Sequence, residues 1–121
     1  MRRSLLGAAA AALSLLPAVP ATAATPVTGR AIAWTQGFNV MLWDSVNGTR
    51  VIEQTGYSPS LSSDGRWLAY VKKAFNGSCY EVRLYDVQQR RQVPLPGVND
   101  SSCADHPAVS GDGRWLAWDG P

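Results

Sequence analysis

The sequence predicts an all-β fold built from repeated, antiparallel four-stranded sheets, and three observations predict it. The first is an internal repeat. Residues 62–70 read Ser-Ser-Asp-Gly-Arg-Trp-Leu-Ala-Tyr and residues 110–118 read Ser-Gly-Asp-Gly-Arg-Trp-Leu-Ala-Trp, so seven of nine positions are identical at an offset of 48. The second is turn chemistry: Asp64-Gly65 and Asp112-Gly113 stand between apolar runs, a hairpin signal because such turns need a residue at positive φ. The third is period. Cys79–Val87 reads as a clear alternating strand, and no stretch beyond residue 24 sustains the 3.6-residue repeat of an amphipathic helix.

At the N-terminus, Met1-Arg2-Arg3 precedes a Leu/Ala run from Leu5 to Val19, and Ala21-Thr22-Ala23-Ala24 offers small residues in an Ala-x-Ala pattern. This is the layout of a cleaved export signal over residues 1–24. The run of about 15 apolar residues is shorter than the ~20 that span a bilayer. No cysteine lies near the cut to carry a lipid. The expected location is therefore secreted or periplasmic, with no membrane association after cleavage. The formal charge of +2 comes from Arg2 and Arg3, and without them nine basic and nine acidic residues remain. That balance leaves no basic stripe for nucleic acid. Lys72-Lys73 and Arg90-Arg91 read as solvated loop doublets.

The remaining residues 25–121 suffice for one small domain. Its first unit, 31–54, is partial: Val40, Leu42, Trp43 and Asp44 align with Val82, Leu84, Tyr85 and Asp86 at an offset of 42. Gly29-Arg30-Ala31-Ile32-Ala33-Trp34 likewise resembles Gly65-Arg66-Trp67-Leu68-Ala69-Tyr70. The second unit, 58–95, is complete, with strands at Pro59–Ser62, Arg66–Val71, Cys79–Val87 and Gln92–Leu95. The third, 106–118, holds strands at Pro107–Ser110 and Arg114–Trp118. In the second strand Trp67, Ala69 and Val71 face one way and Leu68 and Tyr70 the other. Both faces are apolar, as in a sheet covered on both sides. In the third, Val82 and Leu84 alternate with Glu81 and Arg83, so one face is wetter.

The pattern Pro-x-x-Ser-x-Asp-Gly-Arg-x-Leu-Ala-Tyr/Trp, followed by an x-Val-x-Leu-Tyr-Asp strand, resembles the TolB-type (WD-like) β-propeller repeat over most of residues 25–121. Ser63 and Gly111 stand where that repeat usually has proline. The resemblance implies propeller blades, here about two and a fraction, in an incomplete propeller. Closed propellers have about four to eight blades. A homo-oligomer that completes the ring is therefore one expected partner arrangement.

Two insertions, within Lys73–Ser78 and within Pro96–Asp105, would emerge at one end of such a blade, and each carries or abuts a cysteine. In an exported chain the simplest reading is a Cys79–Cys103 disulfide, against a free thiol pair or a metal site. Two cysteines and the single histidine, His106, fall short of the four ligands of structural zinc, and no metal or cofactor is expected. Asn99, Asp100 and Asp105 match no calcium loop. His106 beside Asp105 has the makings of an acid–base pair, but no Gly-x-Ser-x-Gly elbow accompanies it. It reads instead as a polar residue leading into the strand at Pro107, and no catalytic residue is expected. Asp64 and Asp112 read as turn-formers capping backbone N–H groups. Candidate contact residues are Lys73, Phe75, Asn99 and His106, on or beside the inserted loops, since scaffold loops commonly carry recognition. The expected function is a non-enzymatic binding or scaffolding module for a protein or small ligand. The alternative is a fragment of a larger propeller-containing hydrolase of the prolyl-oligopeptidase type.

Overall fold

Alternation along one strand sets the layering. Trp67, Ala69 and Val71 enter one buried cluster, while Leu68 and Tyr70 enter another on the opposite face. A strand apolar on both faces needs a sheet on each side, and the chain supplies both. The computed structural model describes residues 3–5, 10–13, 30–73, 79–96 and 103–120, the first two segments as backbone paths. Phe75 and Asn99 lie outside the described residues.

The strands are β1 (Arg3–Leu5), β2 (Ala10–Leu13), β3 (Ala31–Gln36), β4 (Asn39–Asp44), β5 (Gly48–Gln54), β6 (Gly56–Leu61), β7 (Trp67–Lys73), β8 (Tyr80–Asp86), β9 (Arg91–Val93), β10 (Asp105–Val109) and β11 (Leu116–Asp119). They form three antiparallel sheets: β3-β4-β5, β6-β7-β8-β9, and β10-β11 extended by β2 and β1. The fold is all-β, and no helix occurs among the described residues. The middle sheet packs Trp67, Ala69, Val71, Val82 and Leu84 against Leu116, Val109 and Trp118 of the third. Its other face packs Leu68 and Tyr70 against Val40, Leu42, Ala31 and Ala33 of the first. Each fully buried aliphatic side chain stabilises by about 1.5–3 kcal/mol, so two such seams carry much of the folding free energy.

The two Asp-Gly turns are built alike, save that Ser110 Oγ also accepts the Arg114 N–H (3.1 Å). Ser62 Oγ donates to Asp64 Oδ1 (2.6 Å) and accepts the Trp67 N–H (2.9 Å). Ser110 Oγ donates to Asp112 Oδ1 (2.7 Å) and accepts the Trp115 N–H (3.0 Å). Gly65 and Gly113 donate to the carbonyls of Ser62 and Ser110 with φ of 75° and 71°, the left-handed conformation that selects glycine. The adjacent Asp and Gly are not a two-residue hairpin loop. They form the second half of a tight four-residue turn, after which Ser62 N–H reaches the Trp67 carbonyl (2.9 Å).

The strands at the prolines begin earlier than the sequence suggests. β6 starts at Gly56 and β10 at Asp105, ahead of Pro59 and Pro107. A register shift separates Tyr57 from Ser60 and Asp105 from Ala108, and Ser58 and His106 take φ of 51° and 46° inside these irregularities. Proline has no N–H for the ladder, so it is tolerated where a bulge has already interrupted pairing. His106 thus sits within β10 and does not lead into it. At the N-terminus, the expected leader contributes β1 and β2, with β2 antiparallel to β11. They occupy the places beside β11 that β8 and β9 occupy beside β7. Cleavage after residue 24 would remove both strands and leave this edge of β11 unpaired.

Candidate functional site

Hairpin connections gather at two opposite ends of the sheets, and the ends differ in chemistry. At one end lie the turns that follow Asp44 and Asp86 and the two Asp-Gly turns. Asp44 and Asp86 are each only 2% exposed. Asp44 Oδ1 accepts the N–H groups of Val46 (2.9 Å) and Asn47 (2.6 Å), and Asp86 Oδ1 those of Gln88 (3.0 Å) and Gln89 (3.1 Å). Burial pushes the Asp44 carboxyl up, but Arg50 Nη1 at 2.6 Å and the Asn47 and Val46 amides outweigh it and hold it at about 2. Asp86 has an arginine too, but from a different place: Arg66 Nη2 at 3.4 Å, ahead of β7. The Ser110 hydroxyl and the Arg114 amide lower the Asp112 carboxyl. These carboxylates are consumed by the backbone, and capping is what they do.

Beside this end a cleft of about 500 Å³ opens between the start of β3 and the β6–β7 turn. Arg30, Ala31, Ile32 and Trp43 of the first sheet line it on one side, and Leu61, Ser62, Ser63 and Gly65 on the other. None of these was singled out as a site by the sequence reading, apart from Gly65 as a turn residue.

The other end carries the cysteines. Cys79 and Cys103 are paired, with Cα atoms 4.8 Å apart, and the Ala104 N–H donates to the Tyr80 carbonyl (3.2 Å) beside them. Three aromatic rings converge here, Phe38 from the β3–β4 turn and Tyr57 and Tyr80 from β6 and β8 of the middle sheet. Phe38 and Tyr57 stand edge to face with centroids 6.2 Å apart, and Tyr57 and Tyr80 do the same at 5.8 Å. Phe38 is 67% exposed and Tyr80 37%. The turn amides hold the row in place: Gly56 N–H donates to the Phe38 carbonyl (2.9 Å) and Lys73 N–H to the Thr55 carbonyl (3.0 Å). Lys73, the last residue of β7, pairs in register with Tyr80 and is exposed. The offset of 42 that aligns Val40 with Val82 also aligns Phe38 with Tyr80, so the signal for this row was present in the repeat.

His106 is exposed at the same end, with Nδ1 3.1 Å from Asp119 Oδ2 and 3.9 Å from Asp105 Oδ2. Among the described residues those two carboxylates are its polar side-chain partners. The structure therefore brings His106 and Lys73 to the cysteine end, and leaves Asp64 and Asp112 at the opposite one. Among the described residues no group of three or more His, Cys, Asp or Glu side chains could hold a metal ion. No family model, no curated protein and no solved structure matches the chain.

Proposed function

We propose that the protein is an exported, non-enzymatic module of β-propeller-blade repeats that binds a partner through its cysteine end. The observation that carries this reading is the aromatic row Phe38–Tyr57–Tyr80, exposed at Phe38 and Tyr80 and anchored by the half-buried Tyr57, beside the paired cysteines. Large aromatic side chains dominate binding hot spots, and a row held by backbone hydrogen bonds loses little further freedom on association. The blade reading is supported by the equal construction of the two Asp-Gly turns and by two seams packed through equivalent positions. The export reading rests on the N-terminal sequence pattern and on the cysteine pair, which persists in oxidising compartments.

The test compares the oxidised protein with a Phe38→Ser/Tyr80→Ser variant as baits against extracytoplasmic proteins of the producing cell. Any protein retained is then purified and titrated against both by calorimetry. A partner bound by the parent and weakened roughly a hundredfold or more by the double substitution supports the reading, since two hot-spot aromatics together carry about 3 kcal/mol or more. Equal affinity for both proteins removes the row as the binding surface.

A further inference from the structure

One pair of large apolar positions recurs in all three sheets. At offsets of 36 and then 48, Ile32, Leu68 and Leu116 correspond, as do Trp34, Tyr70 and Trp118. Leu68 and Tyr70 are fully buried in the first seam, in one cluster with Leu42 and Ala33. Leu116 and Trp118 lie in the second seam with Ala69 and Leu84. Ile32 and Trp34 hold the same place in the first sheet, but no seam receives them. Alternation turns them away from Ala31 and Ala33, and Trp43 and Met41 pair with them in register on that outer face. Val51 joins the face opposite Met41. Ile32 and Val51, on its two outer strands, are 57% and 49% exposed, so this apolar face is uncovered among the described residues.

The third sheet shows the converse. Ala33, Ala69 and Ala117 correspond, as do Ala31, Trp67 and Trp115. Ala33 and Ala69 each receive the next sheet in a seam. Ala117 and Trp115 alternate with Leu116 and Trp118, so they point away from the second seam, and both are half-buried. Ala108, exposed, stands beside Ala117 in register. The molecule thus carries both halves of a third seam, on its two outer sheets. The residues named on these halves bear no charge, as at the buried centre of a homodimer interface.

We propose that a second copy of the chain closes this seam. The outer face of β3-β4-β5, with Ile32 and Trp34, packs on the β10-β11 face of the other copy, with Ala117 and Trp115. A two-fold axis forms the reciprocal contact at the same time. The molecule's own seams select this occupant, because twice within one chain a leucine-and-aromatic face meets an alanine-bearing face. The described residues hold three sheets, and two copies hold six, within the about four to eight of closed propellers. The proposal rests on the blade-repeat part of the reading above and not on the aromatic row. Its test reads mass and needs no captured partner, so the two fail separately.

The test is sedimentation velocity with light scattering on the protein produced from the full 121-residue sequence under oxidising conditions. A two-copy mass that dissociates on dilution is expected. Ile32→Lys and Ala117→Glu each bury an unpaired charge in the seam, and each is expected to weaken the dimer roughly a hundredfold or more. Leu68 and Ala33 share the first seam, so their counterparts Ile32 and Ala117 meet in the new one. Mixing the two variants then allows one unaltered contact and one lysine–glutamate contact, and the two-copy mass returns. Val46→Glu, exposed in the β4–β5 turn, leaves the dimer unchanged. Melting curves establish that each variant folds, and Ala108→Glu replaces Ala117→Glu should that one not fold. A parent that stays single at every concentration overturns the proposal, as does a dimer that survives either substitution. A mixture that stays single overturns the pairing of these two faces, and masses that grow beyond two copies overturn the closed pair.

Discussion

The repeat supplies an internal control for the turn serines, and Ser62→Ala against Ser110→Ala uses it. Both hydroxyls share two bonds, each donating to an aspartate and accepting the amide of a tryptophan five residues on, and Ser110 Oγ accepts the Arg114 amide as well. Their surroundings differ. Ser62 is 2% exposed and Trp67 is buried, whereas Ser110 and Trp115 are half-buried at the rim. Removing the Ser62 hydroxyl strands the Trp67 N–H in a dry site, because the Ser62 carbonyl is already taken by Gly65 N–H. An unpaired buried donor costs about 1–3 kcal/mol, and this one sits at the upper end. At Ser110 water replaces the hydroxyl, and the cost falls to about 1 kcal/mol or less. For a domain of this size the melting temperature falls by about 4–8 °C per kcal/mol, so drops of roughly 10–20 °C and about 5 °C are expected. Calorimetric melting of the two variants beside the parent measures both, with urea midpoints as a check on the m-value. Equal losses, or a larger loss at Ser110, would refute burial as the cause of the difference.

Three further perturbations have definite signs. The Asp44 carboxyl is held at about 2 against an ordinary 3.8, so it contributes stability above pH 3.8 that is lost as pH falls toward 2. Its full value is roughly 2 kcal/mol, and urea midpoints taken across that window should show the loss in the parent and not in Asp44→Asn, which starts lower at neutral pH. Joining Cys79 to Cys103 closes a loop with a sequence separation of 24. Cys79→Ser/Cys103→Ser should then lower unfolding free energy by about 3 kcal/mol, and urea titrations with the same effect from a reducing agent on the parent alone would confirm it. Gly113→Ala should cost more than Gly37→Ala by about 1–2 kcal/mol in thermal melting. Both glycines have positive φ, but only at Gly113 does a Cβ run into the Trp67 ring, while Gly37 faces open space.

The parts legible in the sequence were those encoded by a period. Strict alternation at Val82 and Leu84, and the doubly apolar Trp67–Val71, placed those side chains on faces the structure buries. The serine, aspartate and glycine of each turn were legible as turn chemistry, although the serine's bond to the tryptophan amide requires knowing that its carbonyl is engaged elsewhere. The bulges at Ser58 and His106 were not legible. A proline marks both a strand start and an interrupted strand, and only the pairing partner distinguishes them. The arginine on Asp44 was hidden for a related reason. Arg50 comes from the last strand of its unit and Arg66 from ahead of the second, so no alignment of one unit on the next superposes them. The aromatic row was readable in part, through Phe38 and Tyr80, but Tyr57 corresponds to Asp105 one repeat later and breaks the pattern.

Loss of a seam tryptophan at Ala31 requires that something else hold the first two sheets together, and the structure shows what does. Glu53 of β5 accepts the Tyr70 hydroxyl (3.1 Å) and Gln92 Nε2 (3.0 Å) and pairs with Lys72 Nζ (2.9 Å). Burial pushes the Tyr70 hydroxyl up, and the Glu53 charge adds to it, so Tyr70 remains a donor throughout the ordinary pH range. Gln92 Nε2 also donates to that hydroxyl (2.9 Å), closing a network across the seam. At the offset of 48 the counterpart of Tyr70 is Trp118, whose indole has no oxygen to continue such a network. The second seam relies instead on Trp67 wedged against Gly113, with Ser63 donating through both N–H (3.1 Å) and Oγ (2.7 Å) to the Gly111 carbonyl. One seam is closed by a polar network at its outer strands and the other by an aromatic wedge at its turn end. The seam with the polar network is the one beside which the cleft opens.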